Sequence, residues 1–198
     1  LEEILESSER LERTIDILVS FAQMEAGKLV LRHEMIDVPG LVTEVCARWR
    51  SRVEKHRVEE LVSDRPRVMA DRKLLERSLD ELIDNAIKFS PKGGAVSVRA
   101  HIVGEGDGRS VEFSVTDQGI GISPENMDNM FKEFIQGDGT ATRAYGGLGL
   151  GLPFVQRVVK AHGGRIDASS EPGQGSTFEF QIPIAGNAAA SGNGGVAA

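Results

Sequence analysis

Two alternating runs joined by a glycine turn limit the architectures open to this chain. Val96, Val98, Ala100 and Ile102 are followed by Val111, Phe113 and Val115, with apolar residues at every second position. That is the period of a strand with one buried face, and the turn at Gly104–Gly108 predicts an antiparallel hairpin. The flanking segments change period. Before the hairpin, Leu74, Leu75, Ser78, Leu79, Leu82, Ile83, Ala86 and Ile87 form a helical stripe, with Asp71 placed to cap it and Ser90-Pro91-Lys92-Gly93-Gly94 to stop it. After it come a helix at about Leu150–His162 and two final strands, Arg165–Ser169 and Ser176–Ile184. Upstream lie a strand at Leu29–Ile36, a helix starting near Asp37-Val38-Pro39, and strands near Val58–Val62 and Val68. The helical stripe there is Leu41, Val42, Val45, Cys46, Trp49 and Val53. Strands that do not alternate regularly with helices exclude a doubly wound parallel sheet. The expectation is a two-layer α/β (α+β) sandwich, with a mixed, mostly antiparallel sheet packed on three helices.

One long helix precedes this unit. Leu1, Ile4, Ser8, Leu11, Ile15, Leu18 and Ala22 step by threes and fours, a heptad-like seam that Gly27 ends. A helix packed on its own domain is the plain alternative to a bundle seam; polar residues on most other faces favour the bundle. The expected division is a partial dimerisation helix at 1–28, a catalytic unit at 29–185 and a Gly/Ala/Ser/Asn-rich, disordered tail at 186–198. The sequence starts at Leu1 in mid-pattern, so it reads as a piece of a longer protein, with any sensor or membrane segment upstream.

The formal net charge of −7 argues against a nucleic-acid partner. It also means that a polyphosphate would have to be held by local donors and a cation rather than by the overall field. The single cysteine, Cys46, excludes an internal disulfide and suits a reducing, cytoplasmic setting; its place on an apolar stripe reads as core. No run approaches the length of a membrane span.

Four segments carry chemistry. In Asp117-Gln118-Gly119-Ile120-Gly121, a carboxylate at a strand end precedes two glycines. An ionised carboxylate only accepts hydrogen bonds, so Asp117 suits the exocyclic amine of adenine; alone, the pattern is far more often a strand-ending turn. On the helix before the hairpin, Glu81, Asn85 and Lys88 stand at i, i+4 and i+7 on one shoulder. An amide oxygen can ligate Mg²⁺, a carboxylate can take a proton or orient water, and an ammonium can meet phosphate; a solvated helix face is the alternative. Glycines at 147, 149 and 151 run into a helix whose N-terminal N–H groups favour anions, with Pro153 in its first turn. Between these, Phe131-Lys132-Glu133-Phe134 precedes a polar glycine-rich loop with Arg143, the composition of a mobile lid.

In this order and spacing the four segments resemble the N, G1, F and G2 boxes of histidine kinases. That family belongs to a wider ATPase superfamily shared with gyrase, a heat-shock chaperone and DNA mismatch-repair ATPases. The stretch from His162-Gly163-Gly164-Arg165-Ile166 to Gly173-Gln174-Gly175-Ser176-Thr177-Phe178 is similar to the end of that kinase domain, and Ala22–Leu29 resembles the end of the second dimerisation helix. The resemblance covers about Met35 to Ile184. It implies that Asn85 coordinates Mg²⁺ on the ATP phosphates and that Asp117, with Gly119 and Gly121, holds adenine. It further implies that Lys88 contacts phosphate and that Gly147, Gly149 and Gly151 line the lid hinge. Arg143, the strong cation of the loop, is read from composition alone as a phosphate contact or, equally, a solvated loop charge. Many histidine kinases carry Asn where Glu81 stands and hydrolytic relatives use Glu near that point, so the role of Glu81 stays open between base and water-orienting residue.

The activity implied is transfer of the γ-phosphoryl of ATP to a histidine on the kinase's own dimer, then to a response regulator. None of His33, His56, His101 and His162 matches the acceptor pattern, so the acceptor helix is expected upstream and the fragment is expected to bind Mg-ATP without phosphorylating itself. Two alternatives remain at this point: an ATP-hydrolysing switch, and a regulatory module that binds no nucleotide.

Overall fold

The computed structural model describes residues 11, 15–24, 26–133 and 149–184. Residues 15–24 form a helix, α1. It is followed by β1 (His33–Asp37), α2 (Val38–Arg50), β2 (His56–Val62), β3 (Arg67–Asp71), α3 (Arg72–Lys88) and β4 (Gly94–Val103). Then come β5 (Ser110–Thr116), a short α4 (Pro124–Met127), α5 (Gly151–Ala161), β6 (Arg165–Glu171) and β7 (Gly175–Pro183).

The main sheet has the order β2-β4-β5-β7-β6. Its pairings are antiparallel except that of β2 with β4, which is parallel. The register makes the two faces chemically distinct. Ala100, Phe113, Phe180 and Ile166 are successive cross-strand partners on the core side, with the rings of Phe113 and Phe180 stacked at 4.8 Å. One residue along, His101, Glu112, Gln181 and Arg165 form the matching polar row, in which Gln181 Nε2 donates to Glu112 and Arg165 Nε donates to Gln181. This is the two-layer mixed sandwich expected, with α2, α3 and α5 packed on one face around a common core.

Two aspartates start the helices that matter. Asp37 Oδ2 accepts from Gly40 N at the head of α2, and Asp71 Oδ1 accepts from Leu74 N at the head of α3. Each satisfies an amide that the helix itself cannot. The other Asp71 oxygen accepts from Arg32 N, which fixes the chain leading into β1. That is why the strand begins at His33 and not at Leu29: the preceding backbone is committed to the cap. β1 pairs antiparallel with β3 in a separate two-stranded sheet, which the sequence pattern did not reveal.

α1 differs from the expectation of a single apolar seam. Leu11, Ile15, Leu18 and Ala22 are exposed, whereas Ile17 and Phe21, on another face, are buried against the body. Arg157 of α5 lies over the Phe21 ring at 4.9 Å and pairs with Glu133. The helix thus packs on its own domain and leaves the seam open. Cys46 is fully buried, and burial pushes its thiol up to about 11, the state of a packing residue. The expected lid (Phe134 to Arg143), Gly147 and the tail from 186 onward lie outside the described residues. No helix among the described residues is long and apolar enough to cross a membrane.

Candidate functional site

α3 supplies the backbone of the site. Its stripe (Leu75, Leu79, Leu82, Ile83 and Ala86) is buried, which turns the shoulder bearing Glu81, Asn85 and Lys88 to the edge of the core. The N-terminus of α5 meets that shoulder. A side chain built on Gly151 would place its Cβ 2.5 Å from Glu81 Oε2 and 3.8 Å from Asn85 Nδ2. Two segments far apart in sequence are therefore in contact, and glycine is what lets them touch. Leu150 offers no side-chain cap to the first amides of α5, and Pro153 has none to offer. Uncapped N–H groups and the helix dipole make this end receptive to an anion.

Glu81 is held on its other side as well. Arg77, one turn earlier on α3, places Nη2 3.0 Å from Glu81 Oε1, and each side chain is only 17% exposed. The spacing (i, i+4) was visible in sequence, but such a pair is usually a solvated one; its burial shows only in the fold. Lys88 sits with Nζ 5.1 Å from the centre of the Phe89 ring.

At the far end of α3, the Asp117 loop is tied to the helix terminus. Ile120 N donates to Phe89 O, and Asp117 N donates to Ser176 O. Asp117 Oδ1 accepts from Gly119 N at 2.7 Å. The carboxyl is nearly buried, and burial pushes its pKa above the ordinary 3.8 against the opposing effect of the Gly119, Ser176 and Ser90 groups. Ser90 Oγ adjoins the same carboxyl and is buried, with no hydrogen bond of good geometry among the described residues. A buried hydroxyl in that state is a position for an incoming polar group.

The glycines of this loop serve a purpose other than the one their motif suggests. A Cβ on Gly119 would lie 2.2 Å from Phe89 O, and one on Gly121, at φ +68°, would lie 2.0 Å from Glu171 O. Both face the protein's own backbone, so close chain packing is what requires them. Gly175 does the same for Asp117, with a Cβ position 2.1 Å from the Asp117 carbonyl oxygen. Gly149 has φ +67° just ahead of α5, where only glycine turns the chain without strain.

The arrangement is therefore a buried carboxyl at the C-terminal end of α3, with an amide about 6 Å and a carboxylate about 12 Å back along the helix, where the N-terminus of α5 meets it. Residues 70–186 match the model of the histidine kinase-, DNA gyrase B- and HSP90-like ATPase domain. The chain belongs to this ATPase family. Within it, the chain is 35% identical over 185 residues to the sensor-like histidine kinase SenX3 of Mycobacterium tuberculosis, covering 92% of this chain and 44% of that protein. Among solved structures, full-length ShkA in complex with AMPPNP matches with a TM-score of 0.74 at 31% identity, over 90% of this chain and 36% of that one. The mycobacterial sensor histidine kinase MprB matches at 31% identity with a TM-score of 0.64, over 76% of this chain and 97% of the other. This histidine kinase-type domain thus spans under half the length of the curated relatives it matches.

The donor set fits Mg²⁺ only in company. Among the described residues no group of three or more His, Cys, Asp or Glu could hold a metal. Asn85 is the neutral amide at the mouth of the α5 N-terminus, and Mg²⁺ commonly takes one or two protein oxygens together with phosphate and water. The residues present fit a cation that arrives with a polyphosphate.

Proposed function

We propose that this chain binds Mg-ATP and, as part of a longer sensor kinase, presents the γ-phosphoryl to a histidine on a helix outside this sequence. The observation that carries the reading is the close approach of Gly151 to Glu81 and Asn85, which puts an anion-receptive helix end beside the Asn85 side-chain amide. AMPPNP, present in the ShkA complex, is an analogue of ATP, which supports the ligand class.

Asp117 accepts from the exocyclic amine of adenine and excludes guanine, whose carbonyl would face its lone pairs. Asn85 offers its amide oxygen to the cation, Lys88 meets phosphate, and the N–H groups from Gly149 to Gly151 receive the phosphate chain. Gly147 would belong to the lid hinge by the sequence resemblance, and Arg143 would be a further phosphate contact. Bound Mg²⁺ would screen the negative charge of the phosphates. Little covalent work falls to the protein, which orients the phosphoryl group and neutralises charge. The full-length enzyme would act as a homodimer, with a response regulator as the next acceptor.

Calorimetric titration with AMPPNP tests this. Binding that needs Mg²⁺, weakens in Asn85→Ala and is lost in Asp117→Asn is expected. No binding to the wild-type chain would favour the nucleotide-free regulatory module instead. Incubation with γ-labelled ATP should leave no acid-labile label on the chain; label would show that one of His33, His56, His101 or His162 is an acceptor.

A further inference from the structure

We propose that Arg77 is a positioning residue that holds Glu81 out of general-base use, so that bound ATP is kept for phosphotransfer and not spent on water. The inference rests on the Mg-ATP reading of the site.

A carboxylate one helical turn from Asn85 and against the start of α5 is placed where the terminal phosphate would lie. Such a group is able to take a proton from water. In the unwanted reaction, the water oxygen forms a bond to the γ-phosphorus and the bond from that phosphorus to the bridging oxygen breaks. ADP leaves, inorganic phosphate forms, and the carboxylate takes the proton before releasing it to solvent. For this the carboxylate needs a lone pair directed at water and a reason to accept a proton.

Glu81 has neither to spare. Its Oε1 lies 3.0 Å from Arg77 Nη2, and its Oε2 fills the space where a side chain on Gly151 would stand. One oxygen faces a guanidinium and the other the start of α5, so both are turned to positive groups rather than to a water. The pair is largely shielded from solvent, so screening by water is weak. Arg77 lies between Leu75 and Ser78 of the buried stripe, and its side chain is itself largely shielded.

The test uses the whole chain and reads ATP turnover together with AMPPNP affinity. Arg77→Gln is expected to raise hydrolysis about tenfold with little change in affinity for Mg-AMPPNP, since a general base contributes rate and not binding. Arg77→Met, which keeps the stem and deletes the charge, should do the same, so that a folding failure in one variant leaves the other. Arg77→Lys should restore the low rate. The double variant Arg77→Gln/Glu81→Gln should return to the wild-type level, because the gain needs the carboxylate. Equal or lower turnover in both charge-deleted variants, with binding retained, would overturn the role of Arg77. Failure of the wild-type chain to bind Mg-AMPPNP would instead overturn the site reading beneath it.

Discussion

The backbone N–H of Asp71 donates to Nε2 of His162 across 3.0 Å, joining the end of α5 to the start of α3. Nδ1 of the same ring pairs with Val158 O at 2.8 Å, so the neutral ring donates at Nδ1 and accepts at Nε2. Burial, the largest cause, depresses the imidazole below its ordinary 6.5, with His33 acting in the same direction and Val158 O and Asp71 opposing. The unfolded chain then binds the proton more readily than the folded one. Stability is complete above about pH 6.5 and falls as the pH drops towards the depressed folded value. Thermal melting should show a lower Tm at pH 5.5 than at pH 7.5, with a shallower dependence in His162→Gln. An unaltered slope in that variant would place the acid sensitivity elsewhere.

Asp117 behaves in the opposite sense. Its folded pKa is raised above 3.8, chiefly by burial, so its contribution to stability is present below that value and lost as the pH rises through the folded pKa. At neutral pH the ionised carboxylate is therefore a burden on the fold. Asp117→Asn keeps an acceptor for Gly119 N and removes the charge. It should raise Tm at pH 7 while abolishing measurable nucleotide binding, since the charged hydrogen bond to the ligand is replaced by a mismatched amide. A lower Tm in this variant would contradict the account.

Two glycine substitutions should separate fold from site. In Gly175→Ala, at φ +94°, the new methyl would meet the Asp117 carbonyl, and neither backbone can yield. A destabilisation of about 3 kcal/mol or more is expected from the clash and the left-handed conformation together. In Gly151→Ala the methyl meets Glu81 Oε2, the end of a side chain that can move, and alanine suits a helix better than glycine. Urea denaturation should show that variant near wild-type stability, while calorimetry shows weaker Mg-AMPPNP binding.

Phe21→Ala addresses the docking of α1. The ring is buried and lies under the Arg157 guanidinium, so its loss should cost about 3 kcal/mol locally. Hydrogen exchange should speed up in residues 15–24 and stay slow in β5 and β7. Equal acceleration in all three would mean that α1 is part of the global core.

What the sequence disclosed follows from which interactions are local. The stripe from Leu74 to Ile87, with Asp71 before it, specifies α3 because burial recurs on every turn and the cap lies next to it. The β4–β5 hairpin was equally open to reading. The parallel pairing of β2 with β4 was not, since a period of two is the same in either direction and α3 lies between the strands. Ile17 and Phe21 were passed over because the stronger three-and-four spacing belongs to the exposed seam of α1. At the site, helical spacing put Glu81, Asn85 and Lys88 on one shoulder, but no local rule brings Gly151 to them. The function of Gly119 and Gly121 in admitting neighbouring carbonyls is likewise a tertiary fact. Arg77 stood at a visible spacing; burial gave it meaning.

α3 is one uninterrupted helix, and its C-terminal half spans the candidate site from Glu81 to Phe89. Substitution can change the chemistry at Ser90 or at Glu81, but the reach between them is set by helical rise. Loops lengthen and shorten freely among related proteins, whereas a gauge made of a buried helix does not stretch. A ligand bound as proposed would thus be measured as well as recognised, and a molecule that satisfied one end alone would forfeit the other.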